Sequence, residues 1–249
     1  MQPEEHEKMH RVETRHFWFR GTRRVILAAL ARSLGRERLS RARVLDLGCG
    51  TGLTLSLLPP GARAVGVDFS PAALRFARGR AGHAELLRAS AYALPLADRA
   101  FDAVLALDVL EHLDDDRAAA RELLRVLAPD GVAIVTVPAF RELWSEHDVA
   151  LEHRRRYRLA EIEAVLRDAG FTIEHASYYN FFLFPLVAAA RIAGRARTAL
   201  GAGRPATGLS VPAGPVNAVL TAILGSEGML APRLRLPIGV SCLVVARPA

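Results

Sequence analysis

The order of predicted strands and helices along the chain indicates an α/β fold built on a mainly parallel sheet. Short apolar runs alternate with segments of helical pattern over the first two thirds of the 249 residues. Several of these runs are continuous in Val, Ile and Leu, which is typical of parallel strands buried on both faces. A glycine cluster at 48–52 joins the first run to an apolar segment, as expected for a tight turn from a strand into a helix.

Individual elements follow from local signals. Ser70 and Pro71 indicate a helix start, with the serine as cap and the proline in the first turn. Pro129 to Gly131 predicts a turn that leads into the fifth strand. Gly170 marks the end of a later helix. The predicted strands are 43–47, 64–68, 85–89, 101–107, 132–137, 171–177 and 239–246, and the clearest helices are 72–80, 116–127 and 158–169.

The domain organisation is predicted from the points at which strands and helices stop alternating along the sequence. Residues 1–40 form an N-terminal helical cap, 41–180 the core, 181–238 an apolar and basic helical insertion, and 239–249 the last core strand. The insertion contains two apolar helical segments around a Gly/Pro-rich stretch, and both segments are too short to span a bilayer. We expect it to cover a substrate, to lie on a membrane surface or to form a dimer interface.

The charge and the cysteine content limit the cellular compartment and the binding partners that we expect. The chain has two cysteines and a charged N-terminus without a secretory signal pattern, so we expect a cytoplasmic protein. Of the net charge of +7, +6 lies in 181–249, which has seven arginines and one acid. A basic, apolar region favours an anionic lipid surface or an amphiphile over nucleic acid as the partner. A general preference for arginine is the alternative explanation.

The glycine loop and one acid predict the type of cofactor. Gly48, Gly50 and Gly52 allow a ligand to approach the backbone, and the following helix offers free N–H groups. Asp68 ends the next strand, where a carboxylate can accept hydrogen bonds from a ribose. The pattern G-x-G-x-G differs from the G-x-G-x-x-G of dinucleotide sites, which disfavours hydride transfer. An adenosine-type cofactor is therefore predicted.

Four sequence blocks carry a family resemblance. They are VLDLGCGTG at 44–52, VGVD at 65–68, LPLADRAFDAVLALDVLEHLDD at 94–115 and LAPDGVAIVTVP at 127–138. In order and spacing they resemble the class I S-adenosylmethionine-dependent methyltransferases, in the small-molecule branch that includes quinone-biosynthesis enzymes. The resemblance implies a Rossmann-like seven-stranded sheet, mainly parallel, with helices on both faces and one antiparallel edge strand, which 239–246 fits. It also implies S-adenosylmethionine as the cofactor.

The matching positions carry implied cofactor contacts. Asp46 would hold the methionine moiety, Asp68 the ribose hydroxyls and Arg23 the cofactor carboxylate. Ser90 stands where relatives often have an acid that binds the adenine amino group, so the neighbouring Ala91 backbone gains importance. The full implied set is Asp46, Gly48, Cys49, Gly50, Gly52, Asp68, Phe69, Ser90, Ala91, Leu107, Asp108, Trp18 and Arg23.

Two clusters are candidates for acceptor chemistry. Glu111 and His112 follow the fourth strand, and histidine has a suitable pKa for a general base; a helix cap and an ordinary loop histidine are the alternatives. His147 and Tyr157 follow the fifth strand, together with His153 and the arginines at 154–156, which suit a phosphate or carboxylate. His147 and His153 lack a zinc-site spacing, so no metal is expected; a divalent ion on Glu111 or Asp148 is the minor alternative.

The predicted function is methyl transfer to a small hydrophobic or lipid-linked acceptor, with O-methylation favoured. A C- or N-methyltransferase of a soluble metabolite and a non-catalytic cofactor-binding subunit are the alternatives. A nucleic-acid partner is not expected, because the N-P-P-Y type of target-base motif is absent. Peripheral membrane contact through 181–238 is predicted, and the sequence leaves the oligomeric state open.

Overall fold

A seven-stranded sheet forms the centre of the molecule. The computed structural model describes residues 3–199 and 210–249, and in this part of the chain the strand order is β3-β2-β1-β4-β5-β7-β6. The strands are β1 Arg43–Leu47, β2 Arg63–Asp68, β3 Glu85–Arg88, β4 Phe101–Leu107, β5 Leu127–Pro138, β6 Phe171–Tyr179 and β7 Ser241–Pro248.

Helices lie on both faces of the sheet. They are α1 Pro3–Val12, α2 Phe17–Leu34, α3 Arg36–Leu39, α4 Leu53–Ser56, α5 Pro71–Arg80, α6 Asp116–Val126, α7 Glu146–Ala150, α8 Leu159–Asp168, α9 Phe184–Ala199 and α10 Gly214–Leu230. Alternate residues of one strand enter opposite hydrophobic clusters: Leu45 and Leu47 join one, and Val44 joins the other.

The strand directions confirm the predicted fold class and correct one detail. β1 pairs in parallel with β2 and β4, and the pairs β2–β3 and β4–β5 are also parallel. β7 is antiparallel to both β5 and β6, so it lies one position in from the edge. The strand at this edge of the sheet is β6, whereas the sequence analysis placed the antiparallel strand 239–246 at the edge.

Element boundaries agree with most local signals. The Ser70 hydroxyl accepts a hydrogen bond from the Ala73 amide and caps α5, with Pro71 in its first turn. The turn predicted at Pro129–Gly131 is wrong, because β5 already starts at Leu127. Phe101 pairs with Leu127 and Ala103 pairs with Val132, so residues 128–131 form an irregularity in a strand that continues on both sides.

The insertion packs on the N-terminal part of the chain. Asn217 of α10 accepts a hydrogen bond from the Phe17 amide at 2.9 Å and donates one to the Arg15 carbonyl at 2.8 Å. Most of the Gly/Pro-rich stretch and Arg204 lie outside the described residues, as do the side chains of Arg195 and Arg197. None of the described helices has the length and hydropathy needed to cross a membrane.

A buried ionic contact fixes α1 over the glycine loop. The Glu13 carboxylate, just after α1, accepts hydrogen bonds from the Thr51 hydroxyl and the Arg80 guanidinium. Arg80 also donates to the His10 carbonyl at 3.1 Å. Since Thr51 belongs to the loop and Arg80 ends α5, this contact holds the N-terminal helix at the carboxyl edge of β1 and β2.

Two glycine-to-alanine variants test the contact between α2 and α10. A Cβ on Gly21 would lie 2.3 Å from the Leu224 Cβ, whereas a Cβ on Gly79 of α5 would meet nothing within 4 Å. We expect Gly21→Ala to lower the free energy of unfolding by about 1–3 kcal/mol through overpacking. Gly79→Ala should raise it by about 0.4–1 kcal/mol, because alanine restricts the unfolded chain. Urea unfolding measures both, and an unchanged or raised stability of Gly21→Ala would contradict the packing described.

Candidate functional site

The glycine loop after β1 has a backbone that other residues would strain. Gly48, Gly50 and Gly52 have φ values of +67°, +53° and +80°. A Cβ on Gly48 would lie 2.4 Å from Val109, and one on Gly52 would lie 2.9 Å from the Ala77 Cα. The loop therefore needs glycine for its conformation and, at Gly48 and Gly52, for close packing; a Cβ on Gly50 would make only an ordinary contact, 3.8 Å from Met9 Cε.

Asp68 ties the loop to the end of β2. One carboxylate oxygen accepts from the Gly50 amide at 2.9 Å, and the other accepts from the Ser70 amide at 2.8 Å. Each oxygen keeps a second lone pair for a ligand. The Phe69 side chain is 69% exposed, and the Arg88 guanidinium lies 5.5 Å from its ring centre, so the ring has one open face beside the cavity.

A single cavity of about 870 Å³ runs from this loop to Glu111, His112, His147 and His153. We call this end of the cavity the acceptor side, because the sequence analysis predicts acceptor binding there. Asp46, Gly52 and Tyr157 are the three predicted site residues that do not line it. The predicted residues that do line it are Trp18, Arg23, Gly48, Cys49, Gly50, Asp68, Phe69, Ser90, Ala91, Leu107, Asp108, Glu111, His112 and His147.

Asp46 and Arg23 form a charged layer beneath the loop. Burial raises the pKa of Asp46 to about 7, with the positive charge of Arg23 acting in the opposite direction. Arg23 lines the cavity, and its buried Nε has no hydrogen-bond partner. Asp46 therefore lies outside the cavity lining, and its connection to the cavity is the electrostatic interaction with Arg23.

The acceptor side contains a buried carboxyl group without a hydrogen-bond partner. Glu111 lies on the short 3₁₀ turn Leu110–His112 after β4, is fully buried, and has no partner for either carboxyl oxygen. Burial and the nearby charge of Asp108 raise its pKa well above the usual value. The adjacent His112 is also buried enough that desolvation lowers its pKa to about 4, with His153 contributing in the same direction.

His153 faces Glu111 from the segment after α7. Its Nε2 lies 4.0 Å from Glu111 Oε1, and its ring is T-shaped to that of His112 with centroids 4.8 Å apart. Its Nδ1 lies 2.9 Å from Asp148 Oδ1. The rings of His147 and His153 are 6.5 Å apart. The two segments are joined by the Arg154 amide, which donates to the Glu111 carbonyl at 2.8 Å.

Glu111, His112 and His153 also form a set of donor atoms suitable for a metal ion. One donor atom from each lies within 4.8 Å of the other two. Sequence analysis predicted no metal from the spacing of His147 and His153. The set found here combines residues 111 and 112 with residue 153, whose proximity depends on the tertiary fold.

Tyr157 has a different place from the one predicted. Its hydroxyl is buried behind the cavity, where it donates to Asp116 at 2.8 Å. Burial and that bond raise its pKa. The catalytic role predicted for Tyr157 is corrected accordingly, because its side chain does not line the cavity and instead contacts the first residue of α6.

The three arginines at 154–156 are bound to protein groups. Arg154 Nε donates to the His112 carbonyl, and Arg155 donates to Asp116 and to the carbonyls of Leu113 and Asp114. The buried Arg156 donates to Asp148 and to the Ala139 carbonyl. They hold together the loops around the acceptor side, a role that does not require an anionic substrate.

Helix α1 supplies site residues that the sequence did not indicate. Glu5, His6 and Met9 line the cavity. His6 is 5% exposed, and neither ring nitrogen has a hydrogen-bond partner. Desolvation lowers the pKa of His6, and Asp68 opposes this effect. The polar composition of 3–12 gives little signal of burial; only its contact with the loop reveals its role.

Comparison with known proteins shows that the chain is similar to methyltransferases. A crystal structure of an S-adenosylmethionine-dependent methyltransferase from Thermotoga maritima aligns with 99% of the chain and 96% of its own length, at 19% identity and a TM-score of 0.57. This likeness shows the fold. A family profile described as "Methyltransferase domain" matches residues 45–135. Residues 45–135 thus match a methyltransferase domain, and the chain has the fold of the class I S-adenosylmethionine-dependent methyltransferases.

Curated relatives of this methyltransferase chain support the assignment. A probable S-adenosylmethionine-dependent methyltransferase of Mycolicibacterium smegmatis is 33% identical over 162 residues, which cover 64% of this chain and 61% of the relative. A demethylmenaquinone methyltransferase of Thermus thermophilus is 44% identical over 100 residues, covering 37% and 46%. The chain spans about three fifths of the length of the first curated relatives it matches.

The residues of the site fit the family's cofactor, S-adenosylmethionine. The crowded glycine loop leaves room for a ligand only on its cavity side, and the unpartnered Arg23 Nε offers a donor for a carboxylate. The fixed Asp68 carboxylate and the exposed Phe69 ring suit a ribose and an adenine ring. Family and local chemistry therefore agree on the cofactor-binding end of the cavity.

Asp46 makes the stability of the cofactor-free protein depend on pH. Its folded pKa of about 7 lies above its ordinary value of 3.8, so between these values the folded state holds a proton that the unfolded state has lost. This contribution falls as pH rises from about 4 to about 7. Asparagine stays neutral, so the stability of Asp46→Asn relative to the wild type should rise by up to about 4 kcal/mol across that range, at 1.36 kcal/mol for each pKa unit.

Urea unfolding of both proteins at pH 4.5, 6 and 7.5 measures the effect of Asp46→Asn. A stability difference between the two proteins that stays constant over these pH values would show that Asp46 is ionised throughout.

Proposed function

We propose that this chain transfers a methyl group from S-adenosylmethionine to a hydroxyl oxygen of a small hydrophobic or lipid-linked acceptor. One observation carries the proposal: a single cavity connects the glycine loop and Asp68 with Glu111, His112 and His153. Its volume of about 870 Å³ is near the upper end of the range of about 300–1,000 Å³ typical of ligand pockets. The cofactor supplies an activated methyl group, and the rest of the cavity holds the acceptor.

Position and proton removal are the two tasks left to the protein. Methyl transfer requires the acceptor atom in line with the methyl group at a contact distance of about 3 Å. Glu111 and His112 lie at the end of β4 on the acceptor side of the cavity. Burial lowers the pKa of His112 to about 4, so its imidazole is neutral at neutral pH, which suits removal of a hydroxyl proton. The same groups favour O-methylation over C-methylation.

Helix α9 supports a hydrophobic acceptor. Val187 and Arg191 of this helix line the cavity, so the insertion forms part of its wall. The same insertion exposes large apolar side chains, namely Leu186, Ile192, Val216, Val219 and Met229. Exposed apolar side chains on the insertion that forms part of the cavity wall favour an amphiphilic substrate and peripheral contact with a membrane. The relative from Thermus thermophilus is named as a demethylmenaquinone methyltransferase.

An acceptor screen tests the proposed function. The purified chain is incubated with methyl-labelled S-adenosylmethionine and, separately, with a lipid extract and a polar metabolite extract. We expect label in the lipid fraction, in products that resist mild base as ethers do, and at least a hundredfold less label with Asp68→Ala. Label found only in polar compounds would contradict the lipid acceptor, and carbon-bound or nitrogen-bound label would contradict O-methylation.

Substitution of Arg23 tests cofactor binding separately from acceptor binding. Loss of a charged hydrogen bond costs about 1.5–3 kcal/mol, so Arg23→Ala should weaken binding of S-adenosylhomocysteine by roughly tenfold to a hundredfold. Arg20→Ala, three residues earlier on α2 and exposed, is the matched control and should bind normally. Calorimetric titration measures both affinities. Equal binding by the two variants would remove Arg23 from the cofactor site.

A further inference from the structure

We propose that Glu111, His112 and His153 bind a divalent first-row metal ion, with Zn²⁺ the best match, at the acceptor end of the cavity. The use of this ion in methyl transfer rests on the proposed function, but its binding does not. Sequence spacing predicted no metal here, so the inference comes from the three-dimensional arrangement. It accounts for a buried carboxyl group that otherwise has no hydrogen-bond partner.

The buried carboxyl group of Glu111, which has no hydrogen-bond partner, is the observation that points to a bound cation. Glu111 is fully buried, both of its carboxyl oxygens lack a hydrogen-bond partner, and it lines the cavity. Burying a polar group without a partner costs several kcal/mol, and a charged one costs more. A cation in the cavity would remove this cost by binding the carboxylate directly.

Asp148 fixes the orientation of His153. The carboxylate of Asp148 is buried, lies 2.9 Å from His153 Nδ1, and also binds Arg156 Nε at 2.7 Å and Arg191 at 3.1 Å. An ionised Asp148 can only accept, so His153 Nδ1 carries the proton and Nε2 keeps a lone pair. That lone pair is directed to the side of Glu111. A carboxylate that orients a histidine in this way is the usual support of a metal-binding imidazole.

The spacing of the donor atoms suits one shared ion. His153 Nε2 and Glu111 Oε1 are 4.0 Å apart, too far for a hydrogen bond between them. Two ligands at about 2.1 Å from a common zinc ion lie roughly 3–4 Å from each other. All three donor atoms lie within 4.8 Å of one another, so a small side-chain adjustment closes the set.

The backbone holds the two segments together. The Arg154 amide donates to the Glu111 carbonyl at 2.8 Å, and the Arg154 side chain donates to the His112 carbonyl at 2.9 Å. Residue 153 therefore stays beside residues 111 and 112. Two histidines and one glutamate are a known catalytic zinc set, which leaves one coordination position for water or substrate. Glu111, His112 and His153 all line the cavity, so a substrate bound there could reach that position.

A metal ion here would act on the acceptor hydroxyl. Coordination of the hydroxyl oxygen lowers its pKa, and the proton leaves to solvent. The oxygen lone pair then forms the O–C bond to the methyl carbon while the electron pair of the S–C bond returns to sulfur. The products are the methyl ether and S-adenosylhomocysteine, so atoms and charge balance without a further reactant.

Metal titration of the untagged, chelator-treated chain tests the site. Zn²⁺ is added in competition with a chromophoric chelator, and Co²⁺ is added separately to record its visible absorption. We expect one equivalent of tight binding, and a Co²⁺ spectrum that Zn²⁺ abolishes. Glu111→Gln and His153→Ala should each weaken Zn²⁺ binding at least tenfold. The matched exposed controls Glu85→Gln and His83→Ala should leave it unchanged.

The same samples separate the metal site from the proposed function. Binding of S-adenosylhomocysteine and the thermal midpoint are measured for each variant, and Glu111→Gln keeps the shape of the side chain if His153→Ala fails to fold. Binding of less than half an equivalent by the wild type, or equal Zn²⁺ affinity in wild type and Glu111→Gln, would overturn the metal site. If S-adenosylhomocysteine still binds in that case, the proposed function stands; if it does not bind, the proposed function fails as well.

Discussion

The parallel register of β1, β2 and β4 is the constraint on which the site depends. Leu47 lies opposite Val67 on one side and Ala106 on the other. The three strands therefore end at one level, and the chain leaves each of them at the same edge of the sheet. This places the glycine loop, Asp68 and Leu107 around one cavity. Because sheet hydrogen bonds fix that level, small changes in the surrounding helices cannot move these groups relative to one another.

A second constraint is the buried carboxylate of Asp148. Burial alone would raise its pKa, but His153, Arg156 and Arg191 together hold it below the usual value. These partners come from the loop after α7 and from α9, so one anion joins the core to the insertion. Replacing Asp148, or replacing its arginine partners, would leave an uncompensated charge in the interior, which is strongly destabilising. The wall of the cavity that α9 forms is thus tied to the acceptor-side histidines.

The sequence predicts the cofactor side of the site better than the acceptor side. The loop at 48–52 and Asp68 are separated by one strand–helix unit, and their proximity follows from the parallel connection alone. Glu111 and His153 are 42 positions apart, and their contact depends on how β5, the 3₁₀ turn Arg141–Leu143 and α7 return the chain. No short-range sequence pattern predicts that this path of the chain brings residue 153 back to residue 111. The position of β7 between β5 and β6 likewise follows from pairing, which composition does not reveal.

The carboxyl groups around the cavity differ because their neighbours differ. Asp148 has a histidine and two arginines, Asp68 has two backbone amides, and Glu111 has no hydrogen-bond partner. Pairing lowers the pKa of Asp148 below the usual value, whereas burial raises the pKa of Glu111 well above it. Environments that push the pKa values of nearby acids apart are how one site divides structural and chemical roles. By this reasoning the acid with the fewest protein partners, Glu111, is the one left available for the acceptor.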